Sequence, residues 1–433
     1  MRRMLVVITL AALGAPARAP AQQVEVTLPE AIRRALEVQP AMVQARGDTR
    51  NAGASRRTAL GAFLPSLSTS AGASRGNRPV PSGDTTAAGE PIFLPPGYSY
   101  SGGLNASLDL FVGFRRLANL RVSAANQDAA NAGLVNQRFQ VTLQTKQLYY
   151  DALASEELLR VAEAQVRRAQ QQLQTSIDKL RAGSATRSDS LRSTVEHGNA
   201  RISLLQAQAN LATAQANLGR QIGVDAPVRA VPDTVLPALP DTGPLRSAAL
   251  QTAPQVLQTA AQARAARTQI WAARSQYWPS LSVSYNNSRT GTATPDLPLF
   301  SNYPERFTWR FGLSWTIFNG FQREQQQVSA SVARDLADAR AADARRQVNA
   351  DLARQLAALS TAREQIEISR SNVAAATEDL RVQQERYRVG VATILDLLTS
   401  QTSLTQADVN LVQTRFNYLI ARAQVEALAG REL

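Results

Sequence analysis

The sequence predicts a mainly α-helical chain that also carries membrane-type β-strands, built as two copies of one unit. Three observations lead there: a gapless internal repeat, long proline-free stretches with a seven-residue apolar period, and short segments that alternate apolar and polar residues. From Phe111 onward the chain matches itself at a constant offset of 207 residues. Phe111-Val112-Gly113-Phe114 returns as Phe318-Asn319-Gly320-Phe321, and Gly183-Ser184-Ala185-Thr186 returns as Gly390-Val391-Ala392-Thr393. Upstream the offset grows by seven, so that Leu64-Pro65-Ser66-Leu67-Ser68 returns as Trp278-Pro279-Ser280-Leu281-Ser282. A repeat at a fixed period sets the architecture before any element is assigned. It divides the chain into a leader (1–21), a first repeat (22–223), a linker or equatorial segment (224–244) and a second repeat (245–433).

The leader has Arg2 and Arg3, an apolar run from Met4 to Leu13, and small residues at Ala19-Pro20-Ala21. That is the layout of a bacterial export signal, with cleavage expected after Ala21. No cysteine is present for lipid attachment, and no later stretch holds the roughly 18 apolar residues of a spanning helix. Each repeat then opens on a helical stretch, Leu28 to Ala62 and Leu245 to Tyr277.

Two extended segments follow in each repeat, about 63–75 and 98–111 in the first and 279–289 and 306–318 in the second. Tyr98, Tyr100, Gly102, Leu104, Ala106, Leu108 and Leu110 interleave with Ser99, Ser101, Gly103, Asn105, Ser107 and Asp109. Trp309, Phe311, Leu313, Trp315 and Ile317 interleave with Arg310, Gly312, Ser314 and Thr316. Period two gives one apolar and one polar face. A soluble half-buried sheet would produce the same pattern. Strands of about ten residues, Trp and Tyr near their ends, and an opposite face of Ser, Asn, Gly, Asp and Arg favour a membrane barrel. On that reading Asp109 and Arg310 line a wet lumen. Gly76 to Gly97 and Arg289 to Glu305, rich in Pro, Gly, Ser and Thr, read as exposed loops. Four strands cannot close, and an open edge in lipid leaves backbone groups unpaired at several kcal/mol each. Oligomerisation is therefore expected: eight strands in a dimer or twelve in a trimer, with a large conduit favouring the trimer.

About 70 proline-free residues come next, rich in Ala, Gln, Leu and Arg, all good helix formers. Leu159, Val166, Leu173 and Leu180 recur at every seventh position, as do Leu352, Leu359, Ile366, Val373, Leu380 and Tyr387. After a turn come Leu204, Leu211 and Leu218, mirrored by Leu397, Leu404, Leu411, Tyr418 and Val425. Sustained heptads predict coiled-coil hairpins. A helix of that length is roughly 100 Å long. The return helix is half as long, and the helix opening each repeat supplies the other half if it stacks on its end. The hairpin turns, 181–189 and 388–396, carry Gly183 and Gly390 where a helix ends in the left-handed conformation. Thr186 and Thr393 stand where the next helix needs a cap, with Asp189 and Asp396 three residues on.

Composition excludes much else. With no cysteine and one histidine, thiolate chemistry and histidine-rich metal sites are ruled out, and neither a cofactor nor a metal is expected. His197 takes the register of Leu404 and reads as a packed helix residue. No nucleophile–base pair or phosphate loop is present, so the chain does not read as an enzyme. The net charge of +13 comes from arginines scattered along helices, which favours a solvated surface over a nucleic-acid partner.

The paired turns, duplicated units and strand pairs resemble the TolC family of outer-membrane efflux proteins, across essentially the whole chain after the leader. The resemblance implies a homotrimer in outer-membrane lipid, with a twelve-stranded β-barrel and a helical α-barrel through the periplasm. It also implies a periplasmic adaptor docked at the turns, and through it an inner-membrane transporter. The implied function is the passive exit duct of a tripartite efflux or type I secretion system. The implied docking and gating positions are Gly183, Ala185, Thr186, Asp189, Tyr387, Gly390, Ala392, Thr393 and Asp396. Tyr387 and Asp396 match family gating positions, whereas Thr399 stands where the family has a second acid and Ala392 where it has a base. The competing reading is a soluble periplasmic coiled-coil adaptor or scaffold. The strands' broad apolar face argues against it.

Overall fold

The computed structural model describes residues 24–77, 80–86, 88–94, 97–232, 237, 251–292 and 300–433. The leader, most of the linker after 232 and the first residues of the second opening helix lie outside them. Elements run β1 (Val24–Val26), α1 (Leu28–Val38), α2 (Pro40–Gly61), β2 (Ser66–Arg75), β3 (Val80–Thr85), β4 (Pro91–Leu94), β5 (Tyr98–Val112), α3 (Arg115–Arg181) and α4 (Arg187–Ile222). Then come β6 (Val228–Ala230), α5 (Pro254–Arg274), a 3-10 turn (Ser275–Tyr277), β7 (Ser280–Gly291), β8 (Glu305–Ser314), α6 (Gln322–Arg388) and α7 (Ile394–Ala429). The long helices α3 and α6 have 67 residues each, and the return helices α4 and α7 have 36 each.

The chain forms two compact units. One comprises Gln44–Gln137 and Ala248–Ala350, and it contains the main sheet. That sheet is antiparallel in the order β2-β5-β7-β8. Its register aligns the alternating residues of all four strands: Leu67 opposes Ala106, Ala106 opposes Tyr285, and Tyr285 opposes Trp309. One face is consequently apolar through most of its length, and it ends in polar residues where Asn287, Arg289 and Glu305 meet. The other runs through Ser66, Ser107, Ser284 and Arg310. On the apolar face Phe307, Trp309, Phe311 and Leu313 stand well exposed. Among the described residues no helix is long and apolar enough to cross a membrane.

Three expectations need correction here. Alternation in β5 does not continue through Leu110, because a bulge between Asp109 and Phe111 brings Phe111 opposite Leu281. A bulge adds one unpaired residue and re-aims the side chains after it. The last strand ends at Ser314 rather than at 318: beyond it Trp315 Nε1–H donates to the Tyr277 carbonyl at 3.2 Å, and the Thr316 and Ile317 carbonyls accept from the Arg323 guanidinium at 2.9 and 2.8 Å. The segment Gly76 to Gly97 contains a β3–β4 hairpin rather than loop alone.

The other unit comprises Met1–Val43, Arg138–Ser247 and Asp351–Leu433. Here β1 pairs in parallel with β6, and Val26, Tyr149, Leu153, Leu218, Ile222, Val228 and Phe416 form a core around them. The Tyr149 hydroxyl donates to the Val231 carbonyl at 2.6 Å, so the phenol pins this small sheet to α3. Gly223 ends α4 in the left-handed conformation and lies so close to Val38 that a Cβ would meet it at 2.6 Å. The Gln39 amide donates to the Gln221 carbonyl at 2.5 Å. The end of α1 thus abuts the end of α4. The opening helix is not continuous, because Gln39 is extended (ψ 129) ahead of Pro40. A residue before proline is sterically disfavoured from the α region.

The heptads pack differently in the two hairpins. In the second, Leu352, Leu359, Ile366, Leu380, Tyr387, Leu397, Leu404, Tyr418 and Val425 are buried as their spacing predicts. In the first, Leu159, Val166, Leu173 and Leu180 are only half-buried. Of the return-helix leucines Leu218 is fully buried while Leu204 and Leu211 are half-buried, and along the outgoing stripe and towards the turn the buried positions are Ala162, Ala169, Gln172, Ser176 and Ser193. Small and polar residues sit deepest there, and the half-buried leucines flank them.

Candidate functional site: the hairpin turns and the polar strand face

The two turns are built alike. Gly183 (φ +74) and Gly390 (φ +85) occupy the left-handed region that ends a helix. Ser184 N–H donates to the Lys179 carbonyl and Val391 N–H to the Arg386 carbonyl, both at 2.9 Å, closing the last turn. The return helices start with reciprocal caps. Asp189 N–H donates to Thr186 Oγ1 at 3.2 Å while Thr186 N–H donates to Asp189 Oδ2 at 2.9 Å. Thr393 and Asp396 repeat this at the same two distances. Each box satisfies two N–H groups that the helix start leaves open. The Thr393 backbone N–H, its hydroxyl and the nearby Arg386 cation hold the Asp396 carboxyl below the usual range.

Where the turns differ, they become functional candidates. Beneath the second, Leu380, Tyr387, Ile394, Leu397 and Leu404 form an apolar cluster, with Ala392 packed on it. Beneath the first, Ser176 Oγ and Ser193 Oγ hydrogen-bond at 2.9 Å, and Gln172 donates to Ser176 at 3.1 Å. Lys179, in the last turn of α3, joins the two hairpins. Its ammonium donates to the Tyr387 carbonyl, lies 3.4 Å from the Arg388 carbonyl, and sits 4.2 Å from the centre of the Tyr387 ring. A cation at the C-terminal end of α6 meets the negative end of the helix dipole and the ring's negative face together. The Tyr387 hydroxyl is buried and finds no partner among the described residues.

The sequence singled out Tyr387 but not Lys179. The signal was a base at the same place in both copies, Lys179 and Arg386, at the end of each long helix. Thr399 donates only to the Leu395 carbonyl in its own helix, at 2.9 Å, and Gly183 and Thr186 are exposed at the first turn beside half-buried Ala185. His197 is half-buried on α4.

Asp109 and Arg310 lie on the same polar face but are not brought together. Asp109 opposes Ser282, Arg310 opposes Ser284, and β7 runs between them. Around these two charges the face is mostly serine, glycine, asparagine and threonine, with Arg306 a further cation on β8. Asp109 opens onto a polar pocket of about 340 Å³ with Arg115 and Arg116. Among the described residues no group of His, Cys, Asp and Glu is placed to hold a metal ion.

Residues 31–224 and 245–431 each match the profile of the Outer membrane efflux protein family. The chain belongs to that family. It is therefore an outer-membrane efflux channel, a transport protein rather than an enzyme. The same architecture occurs in solved structures. The outer membrane protein VceC from Vibrio cholerae is 18% identical, with a TM-score of 0.78 over 94% of this chain and 96% of that one. A membrane protein from Pseudomonas aeruginosa is 20% identical, with a TM-score of 0.80 over 93% of each chain. The Campylobacter jejuni CmeC outer membrane channel is 17% identical, with a TM-score of 0.77 over 93% and 85%. At these identities the likeness speaks for the fold. No curated protein gives a significant match.

Proposed function

We propose that this efflux-family chain is the passive exit duct of a tripartite efflux or type I secretion system. It works as a homotrimer whose four-stranded sheets close into a twelve-stranded barrel in outer-membrane lipid. The observation that carries this reading is the sheet itself: an exposed apolar face, a serine-rich polar face, and two edges, β2 and β8, that pair with no further strand among the described residues. Lipid tolerates no open edge, so the edges pair between copies. Transport energy comes from an inner-membrane pump, and a periplasmic adaptor docks at the turns around Gly183 and Gly390. The Lys179–Tyr387 contact and the Asp396 cap hold the turn end closed, and adaptor binding shifts that equilibrium towards the open form.

Planar-bilayer recording of detergent-purified protein, wild type against Asp396→Ala, tests this. A small, cation-selective conductance that shifts on substitution is the expected result. Soluble monomers by light scattering with no bilayer insertion would overturn it and favour a coiled-coil scaffold.

A further inference from the structure

The charges of the four-stranded sheet divide by face. On the apolar face each charge has a partner: Arg289 pairs with Glu305 at 3.2 Å, and the Arg75 guanidinium lies 5.5 Å from the centre of the Tyr98 ring. A charge leaving water is costly unless paired or stacked, and these are. On the polar face the charges are Asp109 on β5 and Arg306 and Arg310 on β8. Both arginines are exposed, and among the described residues neither forms an ion pair or a side-chain hydrogen bond. Asp109 neutralises neither of them. It stands two strand spacings from β8, about 10 Å, and the pocket before it holds Arg115 and Arg116.

We infer that Arg306 and Arg310 make the strand end of the duct cationic within and select for anionic cargo, small molecules carrying carboxylate, sulfonate or phosphate groups. The inference rests on the barrel reading above, which turns the polar face inward, and adds to it the sign of the cargo.

A guanidinium is a planar fork that meets such groups through two parallel N–H···O bonds. The two arginines stand four residues apart on one strand, about 13 Å along it, with Thr308 between them on the same face. One small anion cannot span that distance, so each arginine holds it singly. Weak stations in series suit passage, because cargo must leave as readily as it enters. The cation preference expected of the closed duct belongs to its turn end and Asp396. The arginines act on cargo that has passed it.

The chain has no cysteine, so one introduced thiol reports alone. In proteoliposomes, Ser284→Cys, directly opposite Arg310, is modified with a sulfonate-bearing and with a trimethylammonium-bearing methanethiosulfonate. The ratio of the two rates reads the local potential, since any change in how readily the thiol ionises alters both rates alike. Relative to a free thiol, the ratio is expected to favour the sulfonate reagent and to fall about tenfold in Arg306→Gln with Arg310→Gln. Arg306→Lys with Arg310→Lys is expected to keep it, and 1 M salt to erase it, because the screening length shrinks to about 3 Å. The glutamine substitutions are also expected to shift the reversal potential under a salt gradient towards cations. Where the double glutamine variant does not assemble, Arg310→Gln alone gives the comparison. Conducting protein in which the ratio or the reversal potential ignores these substitutions would overturn the anionic assignment and leave the duct standing. Protein that neither inserts nor conducts would overturn both.

Discussion

The two hairpin ends share length, turn and cap, yet one is held by apolar packing and the other by hydroxyls. Under the second turn the heptad stripe arrives intact, and Leu397 is 1% exposed. Under the first, the buried layer is Ala169, Gln172, Ser176 and Ser193. A buried leucine contributes about 1.5–3 kcal/mol relative to exposure, whereas a typical hydrogen bond nets about 1 kcal/mol. Identical backbone devices therefore sit on foundations of different strength. The second hairpin is the rigid post, and the first is tied to it through Lys179.

The difference can be attacked at several places. Leu397→Ala is expected to cost about 2–5 kcal/mol, while Ser190→Ala, its counterpart in the first copy, costs about 0.5 kcal/mol or less. Amide exchange at the second turn should report the first change and ignore the second; equal effects would erase the contrast. Next in size is Lys179→Met. Charge-assisted hydrogen bonds are worth about 1.5–3 kcal/mol, towards the lower end for a half-exposed lysine, so the open-to-closed ratio should rise about tenfold. Ser193→Ala removes the Ser176 partner at about 1 kcal/mol and should loosen only the first turn, which exchange protection again reads.

The smallest effect is that of acid. Folding lowers the Asp396 pKa, so its contribution is fully present above the unfolded carboxylate value of about 4 and is lost as pH falls through the lower folded value. Exchange at Thr393 and Asp396 should quicken below about pH 4, and Asp396→Asn should flatten that profile.

Much of this architecture was legible in the residues. A gapless repeat and unbroken heptads locate long hairpins, and period-two segments locate sheet strands, because both patterns report which side is buried. The glycines and the Thr–Asp pairs located both turns for the same local reason. What stayed hidden depends on tertiary context. Three-residue strands such as β1 and β6 carry no period to read. In the first hairpin the outgoing leucines marked a line that the fold only half-buries, because Ala162, Ala169 and Ser176 take the buried positions. The Lys179 contact joins residues 208 positions apart, and sequence distance conceals it. The early end of β8 was invisible because the alternation runs on through Ile317, while Arg323 takes the Thr316 and Ile317 carbonyls.

On the proposed reading the two hairpins, fastened through Lys179, close the duct at its turn end. Single-channel conductance of Lys179→Met and Lys179→Arg beside wild type tests it most directly. Larger or more frequent openings are expected for the methionine variant and near-wild-type behaviour for the arginine variant, which keeps the cation. Indistinguishable conductance in all three would contradict it.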